Sequence, residues 1–175
     1  MRGFLIVLAL MMPAFSAQAA DLGPLAPAAE GKVQCFQPNE VAKTCQSIGS
    51  YRISPTGEIE NTATIMISTG PQVVMTTHAP AVIKAGKDCG VLKPAHIDAA
   101  TFMVEGQPAT ASQTAALRTQ MKGALRTPLG HEVCSAYAPN GAALMATSTF
   151  DGLARPDLDQ KVMWVSPSEG YRVAP

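Results

Sequence analysis

Residues 111–126 read Ala-Ser-Gln-Thr-Ala-Ala-Leu-Arg-Thr-Gln-Met-Lys-Gly-Ala-Leu-Arg. Most of these side chains lose little rotamer freedom in a helix. Leu117, Met121, Ala124 and Leu125 recur at helical spacing and make one apolar stripe. The stretch predicts a long helix from Ala111 to Arg126. Outside it, turn chemistry takes over. Pro139-Asn140-Gly141 is a tight turn between two extended runs, Glu132–Ala138 and Ala142–Phe150. Ser54-Pro55-Thr56-Gly57 is another, and after it Ile59, Ala63, Ile65 and Ile67 share one parity while Glu60, Thr62 and Thr64 share the other. That alternation predicts a half-buried strand.

The remaining elements are shorter. Val41, Ala42, Cys45 and Ile48 fall at i, i+1, i+4 and i+7 and predict a short helix from Pro38 to Ile48, stopped by Gly49. Gln72–Thr77 and Ala81–Lys84 read as two extended pieces separated by Pro80. A short helix is expected from Pro94 to Ala100 and a brief strand from Phe102 to Val104. Lys161–Val165 reads as a strand with Val162 and Trp164 on one face, and Trp164 is expected in the core. Tyr171–Val173 reads as a last edge. Tyr51, Pro55-Thr56-Gly57 and Val74-Met75 are echoed by Tyr137, Pro139-Asn140-Gly141 and Val162-Met163. The echo predicts a duplicated unit of one helix and three strands. The expected fold is α+β: one antiparallel sheet, or two small ones, covered by one long helix and one or two short ones. It would occupy residues 33–175 as a single domain, after a flexible Pro-, Ala- and Gly-rich lead-in at residues 20–32.

The first residues carry an address rather than structure. Arg2, an apolar run from Phe4 to Met12, Pro13 and Ala17-Gln18-Ala19 follow the order of a secretory signal peptide spanning residues 1–19. The apolar run is far short of the about 20 residues that cross a bilayer. No Cys follows it directly, so no lipid anchor is expected. Cleavage after Ala19 yields a soluble exported chain, and the style of the signal suits the periplasm of a Gram-negative bacterium. The full chain of 175 residues holds 13 Lys plus Arg and 13 Asp plus Glu, with 47% apolar and 15% charged residues. Such a balance excludes a disordered chain, and the lack of any basic excess excludes a nucleic-acid binder.

An exported chain with four Cys predicts two disulfides. Close Cys-x-x-Cys pairs, which zinc, haem attachment and dithiol redox chemistry need, are absent. Cys35 and Cys45 bracket one short element, and Cys89 and Cys134 bracket the long helical segment. The expected pairs are therefore Cys35–Cys45 and Cys89–Cys134.

Catalytic patterns are missing. Ser50 follows Gly49 but lacks the flanking glycines of a nucleophile elbow. His131-Glu132-Val133-Cys134 is one residue short of a zinc His-Glu-x-x-His and reads as a strand, where positions four apart are about 13 Å apart. His78, His96 and His131 fall in three separate elements. The Met residues are dispersed singly and read as core filler rather than copper ligands. No cofactor and no metal is expected. The chain reads as a non-enzymatic exported protein, a binding, inhibitor or structural module whose partner is a periplasmic or secreted protein. Its expected layout resembles that of the β-lactamase-inhibitor proteins, which implies inhibition of an exported enzyme. The alternative is a small periplasmic hydrolase centred on His78 or His131.

Overall fold

A computed structural model describes residues 22–175. The expected signal peptide at residues 1–19 lies outside the described residues. The first helix, α1 (Ala26–Ala29), follows a 3-10 turn at Gly23–Leu25. Next come β1 (Val33–Phe36), β2 (Thr44–Cys45), β3 (Ser47–Ile53), β4 (Ile59–Thr69), β5 (Gln72–Lys84) and β6 (Lys87–Val91). Helix α2 (Pro94–Ala99), β7 (Thr101–Val104), β8 (Gln107–Pro108) and α3 (Ala111–Ala124) form the middle of the chain. The last strands are β9 (Glu132–Asn140), β10 (Ala143–Phe150), β11 (Leu153–Ala154), β12 (Gln160–Val165) and β13 (Arg172–Val173).

Eight strands close into an antiparallel barrel. Their order is β4-β3-β1-β12-β10-β9-β6-β5, and β5 pairs back onto β4. The expected α+β fold, a sheet covered by helices, is incorrect. In a small barrel the inward side chains of opposite walls fill the space between them, so no helix is needed to cover the sheet. The duplicated-unit expectation fails with it, because β1 lies between β3 and β12 and a single ring runs through both halves. The resemblance to β-lactamase-inhibitor proteins rested on that layout and lapses.

Helices α2 and α3 sit at one end of the barrel. Ile97 and Ala100 are buried against Val73, Met75 and Phe102, and Leu117 and Met121 of α3 and Leu125 just after it pack on that cluster half-buried. No residue of α3 is fully buried, so it lies on the surface. The segment from Pro38 to Ile48 is not a helix. Gln37 and Lys43 have φ of 50° and 52°, and the Asn39 side chain accepts from the Ala42 N–H at 3.0 Å. This local turn returns the chain to β2, and Val41, counted in the helical stripe, is 97% exposed. The two pieces on either side of Pro80 are one strand. Residues 73–76 of β5 pair with β7 and residues 81–84 with β6. Pro80 falls in the gap between those ladders, where a residue without an N–H is tolerated.

The opposite end of the barrel is closed by the N-terminal segment. Leu25 is fully buried against Ile59 and Ala81, with Leu22, Tyr51, Ile53, Ile83 and Trp164 around it. Gly23 makes this fit. Its φ is +46°, and a Cβ there would meet Ile83 Cγ2 at 3.3 Å. Trp164 is half-buried, with its ring centroid 6.2 Å from that of Tyr51.

The disulfides are Cys35–Cys45 and Cys89–Cys134, the pairing read from the sequence. The first lies in a cluster on the outer wall with Val165, Ile48 and Met163. The second joins residues directly opposite on β6 and β9, with Cα atoms 4.0 Å apart. Among the described residues no helix is long and apolar enough to cross a membrane. Both facts are compatible with a secreted protein.

Candidate functional site

Directly paired residues in an antiparallel ladder share a face. The register pairs Gln34 with Gly49, Gly49 with Ala63, Tyr51 with Asn61, and Asp88 with Ser135. One parity of these strands therefore points into the barrel and brings together residues far apart in sequence. All of these except the fully buried Gln34 line a cavity of about 330 Å³, together with Phe36, Thr77, Tyr137 and Gln160. Asp88 is the only charged side chain on that lining.

A polar cluster occupies the lumen. The Tyr51 hydroxyl lies 2.7 Å from Asp88 Oδ2 and 2.8 Å from Gln34 Oε1. The Tyr137 hydroxyl interacts with Asp88, Gln34, Tyr51 and Ser135. Gln34 has no solvent exposure, and its Nε2 has no hydrogen-bond partner. A buried polar group without a partner is uncommon and costs about 1–3 kcal/mol. Burial pushes the Asp88 carboxyl above its usual range, opposed by hydrogen bonds from the two tyrosines. Burial, then the charge of Asp88, pushes Tyr137 up to about 12 and Tyr51 well above the usual phenol range. Among the described residues no cationic side chain pairs with Asp88.

Proton counting narrows the states of this cluster. Tyr51 has one hydroxyl proton and two neighbours in the acceptor position. If Asp88 is protonated, it donates to Tyr51, Tyr51 donates to Gln34 Oε1, and Gln34 Nε2 is left over as a donor. If Asp88 is ionised, Tyr51 donates to the carboxylate. Gln34 must then turn its amide so that Nε2 donates to the Tyr51 oxygen, and Oε1 is left over as an acceptor. The Tyr137 hydroxyl also reaches Gln34, so it can accept from the left-over Nε2 in the first state or donate to the left-over Oε1 in the second.

The histidines expected to anchor hydrolysis lie elsewhere. His78 is on the outer wall, where Nδ1 is 2.9 Å from Thr62 Oγ1 and 3.6 Å from Glu60 Oε1. A relay needs one ring nitrogen for the nucleophile and the other for the acid, and here both neighbours share Nδ1. His131 makes an exposed 2.6 Å contact to Asp151, whose carboxyl that bond holds below its usual range. His96 belongs to α2, where its Nδ1 accepts from the Lys93 N–H at 3.2 Å. Cys89, Glu132 and Cys134 come close enough to suggest a metal site, but both sulfurs are consumed by the disulfide. The four Cys stand where the sequence placed them, as structural bridges. The sequence reading missed Gln34, Asp88 and the inward role of Tyr51 and Tyr137. The two tyrosines did carry a signal, as the markers of the internal echo.

No family model, no curated protein and no solved structure matches this chain.

Proposed function

We propose that this is an exported, non-enzymatic binding protein that holds a small molecule in the lumen of its barrel. The observation that carries the reading is a cavity whose one charged group, Asp88, converges with the Tyr51 and Tyr137 hydroxyls, with the fully buried Gln34 hydrogen-bonded to Tyr51 beside it. Small-molecule sites are concave, mostly apolar and supplied with a few convergent polar groups. Export follows from the N-terminal pattern, and the periplasm is the compartment that pattern favours. A ligand inside the barrel replaces the protein partner expected from sequence as the primary target.

Replacing Gln34 with Met tests the reading. Gln34 supports Tyr51 on the cavity lining while its own buried Nε2 makes no hydrogen bond, so Gln34→Met should leave stability unchanged or raised. Native mass spectrometry of protein recovered from the periplasm of an expressing host should show a small-molecule adduct on the wild type and none on Gln34→Met. A variant destabilised by more than about 1 kcal/mol would assign Gln34 to the fold instead. A wild type that carries no adduct from that host and none after dialysis against a small-metabolite extract would remove the proposal.

A further inference from the structure

Resting on the lumen reading, we infer that the ligand is a small organic cation bearing N–H donors, a primary or secondary ammonium compound, held by Asp88 and the rings of Tyr51 and Tyr137. Two observations converge on this class. The lining carries one charged group, a carboxylate, and among the described residues nothing cationic answers it. A carboxylate enclosed by protein is costly without an opposite charge. Second, Phe36, Tyr51 and Tyr137 put three aromatic rings on the same cavity lining, and ring faces attract cations. An ammonium also brings N–H donors that a carboxylate accepts in short, charge-assisted hydrogen bonds. An anionic ligand would meet the Asp88 charge with nothing to offset it. The cavity of about 330 Å³ is at the low end for small-molecule sites and limits the ligand to a compact one.

The groups facing Asp88 determine how binding depends on pH. Across the lumen these are the Tyr51 phenol from β3 and Gln34 from β1. On the adjoining strands they are Ser135 and the Tyr137 phenol from β9 and uncharged Ile83 from β5. Neither phenol ionises below the range where Asp88 titrates, so Asp88 is the one group on this lining that changes charge between about pH 4 and about pH 8. Ammonium binding should therefore tighten as pH rises through the Asp88 titration.

Three probes of one shape test the inference: cyclohexylammonium chloride, cyclohexanol and sodium cyclohexanecarboxylate. Each is titrated into the signal-free protein while the ring resonances of Tyr51 and Tyr137 are followed by NMR. The amine stays protonated throughout. It should shift both tyrosines, bind measurably more weakly at about pH 4 than at about pH 8, and lose at least tenfold in Asp88→Asn. Should Asp88→Asn fail to fold, the wild-type pH profile carries the test alone. Equal or tighter binding of the alcohol or the carboxylate would overturn the cation and keep the lumen site. If none of the three moves the tyrosines, the cation and the lumen site fall together.

Discussion

Leu25→Ala removes three carbons from a side chain with no solvent exposure. At about 0.8 kcal/mol per buried methylene, the transfer term alone is about 2.4 kcal/mol. A cavity adds to this unless the surroundings collapse into it. Here they cannot follow far. Ile59 and Ala81 are paired with each other across β4 and β5, and the ladder holds both in the wall. Gly23 already lies close against Ile83. The expected loss is therefore about 3–4 kcal/mol, in the middle of the range for buried leucines. One physical ceiling applies. The loss cannot exceed what docking of residues 22–29 contributes, since past that point the segment leaves and the barrel stays folded. Trp164 is the sole tryptophan and packs in the same cluster, so its fluorescence reports the change directly. With a urea slope of about 2 kcal/mol/M, the midpoint should fall by about 1.5–2 M. The Trp164 emission should also shift to the red in the folded variant. A midpoint change under about 0.3 M at unchanged slope, with unshifted emission, would show that Leu25 does not plug the barrel.

Other expectations follow from the same fold. Replacing Cys89 and Cys134 by Ser opens a loop of sequence separation 45 and should cost about 4 kcal/mol, against about 2.8 kcal/mol for the Cys35–Cys45 pair at separation 10. Thermal melts of the two double variants should rank in that order. The Asp88 carboxyl is raised in the fold, so its contribution is intact below the unfolded value of about 3.9 and is lost as pH climbs through the folded one. Asp88→Asn should therefore gain on the wild type with rising pH in urea titrations, and a gap independent of pH would refute the buried charge. Thr110 caps α3, accepting from the Gln113 N–H while the Gln113 side chain accepts from the Thr110 N–H. Thr110→Ala should cost about 1 kcal/mol, read from the same melts.

What the sequence disclosed was local. The turn at Ser54–Gly57, the turn at Asn140-Gly141 and helices α2 and α3 stand within a few residues of where turn and cap chemistry put them, because that chemistry acts over four or five residues. Barrel closure does not. The ring is completed by pairing Val33 with Val165 and Cys89 with Cys134. A strand that alternates inward and outward reads the same whether its sheet lies open under a helix or curls into a ring. The false helix at Pro38–Ile48 has a different cause. Cys45 and Ile48 are apolar because β2 and β3 pack them on the outer wall, and Val41 is apolar at the tip of an exposed turn. Their helical spacing is the accident of two unrelated causes in eleven positions.

The site was hidden by parity. Thr77 and His78 are neighbours in β5, yet Thr77 points into the lumen, 5% exposed, and His78 points out. In an open sheet either face could host chemistry, and a histidine attracts attention wherever it falls. In a closed barrel only the inward parity is enclosed, and a shift of one residue exchanges the two sets. Asp88 sits between Lys87 and Cys89 in a short strand with a charged start, so in sequence it reads as one more solvated acid. Only the pairing of β6 with β9 turns it inward, opposite Ser135 and within reach of Tyr51. The same pairing makes Tyr51 and Tyr137, which look like matched ornaments of two hairpins, into the two sides of one carboxylate. Chemistry on a barrel wall is thus set by register. The proposed site falls on Asp88, and not on the histidines of the hydrolase alternative, because a single ring of hydrogen bonds turns Asp88, and neither His78 nor His131, into the lumen beside Tyr51 and Tyr137.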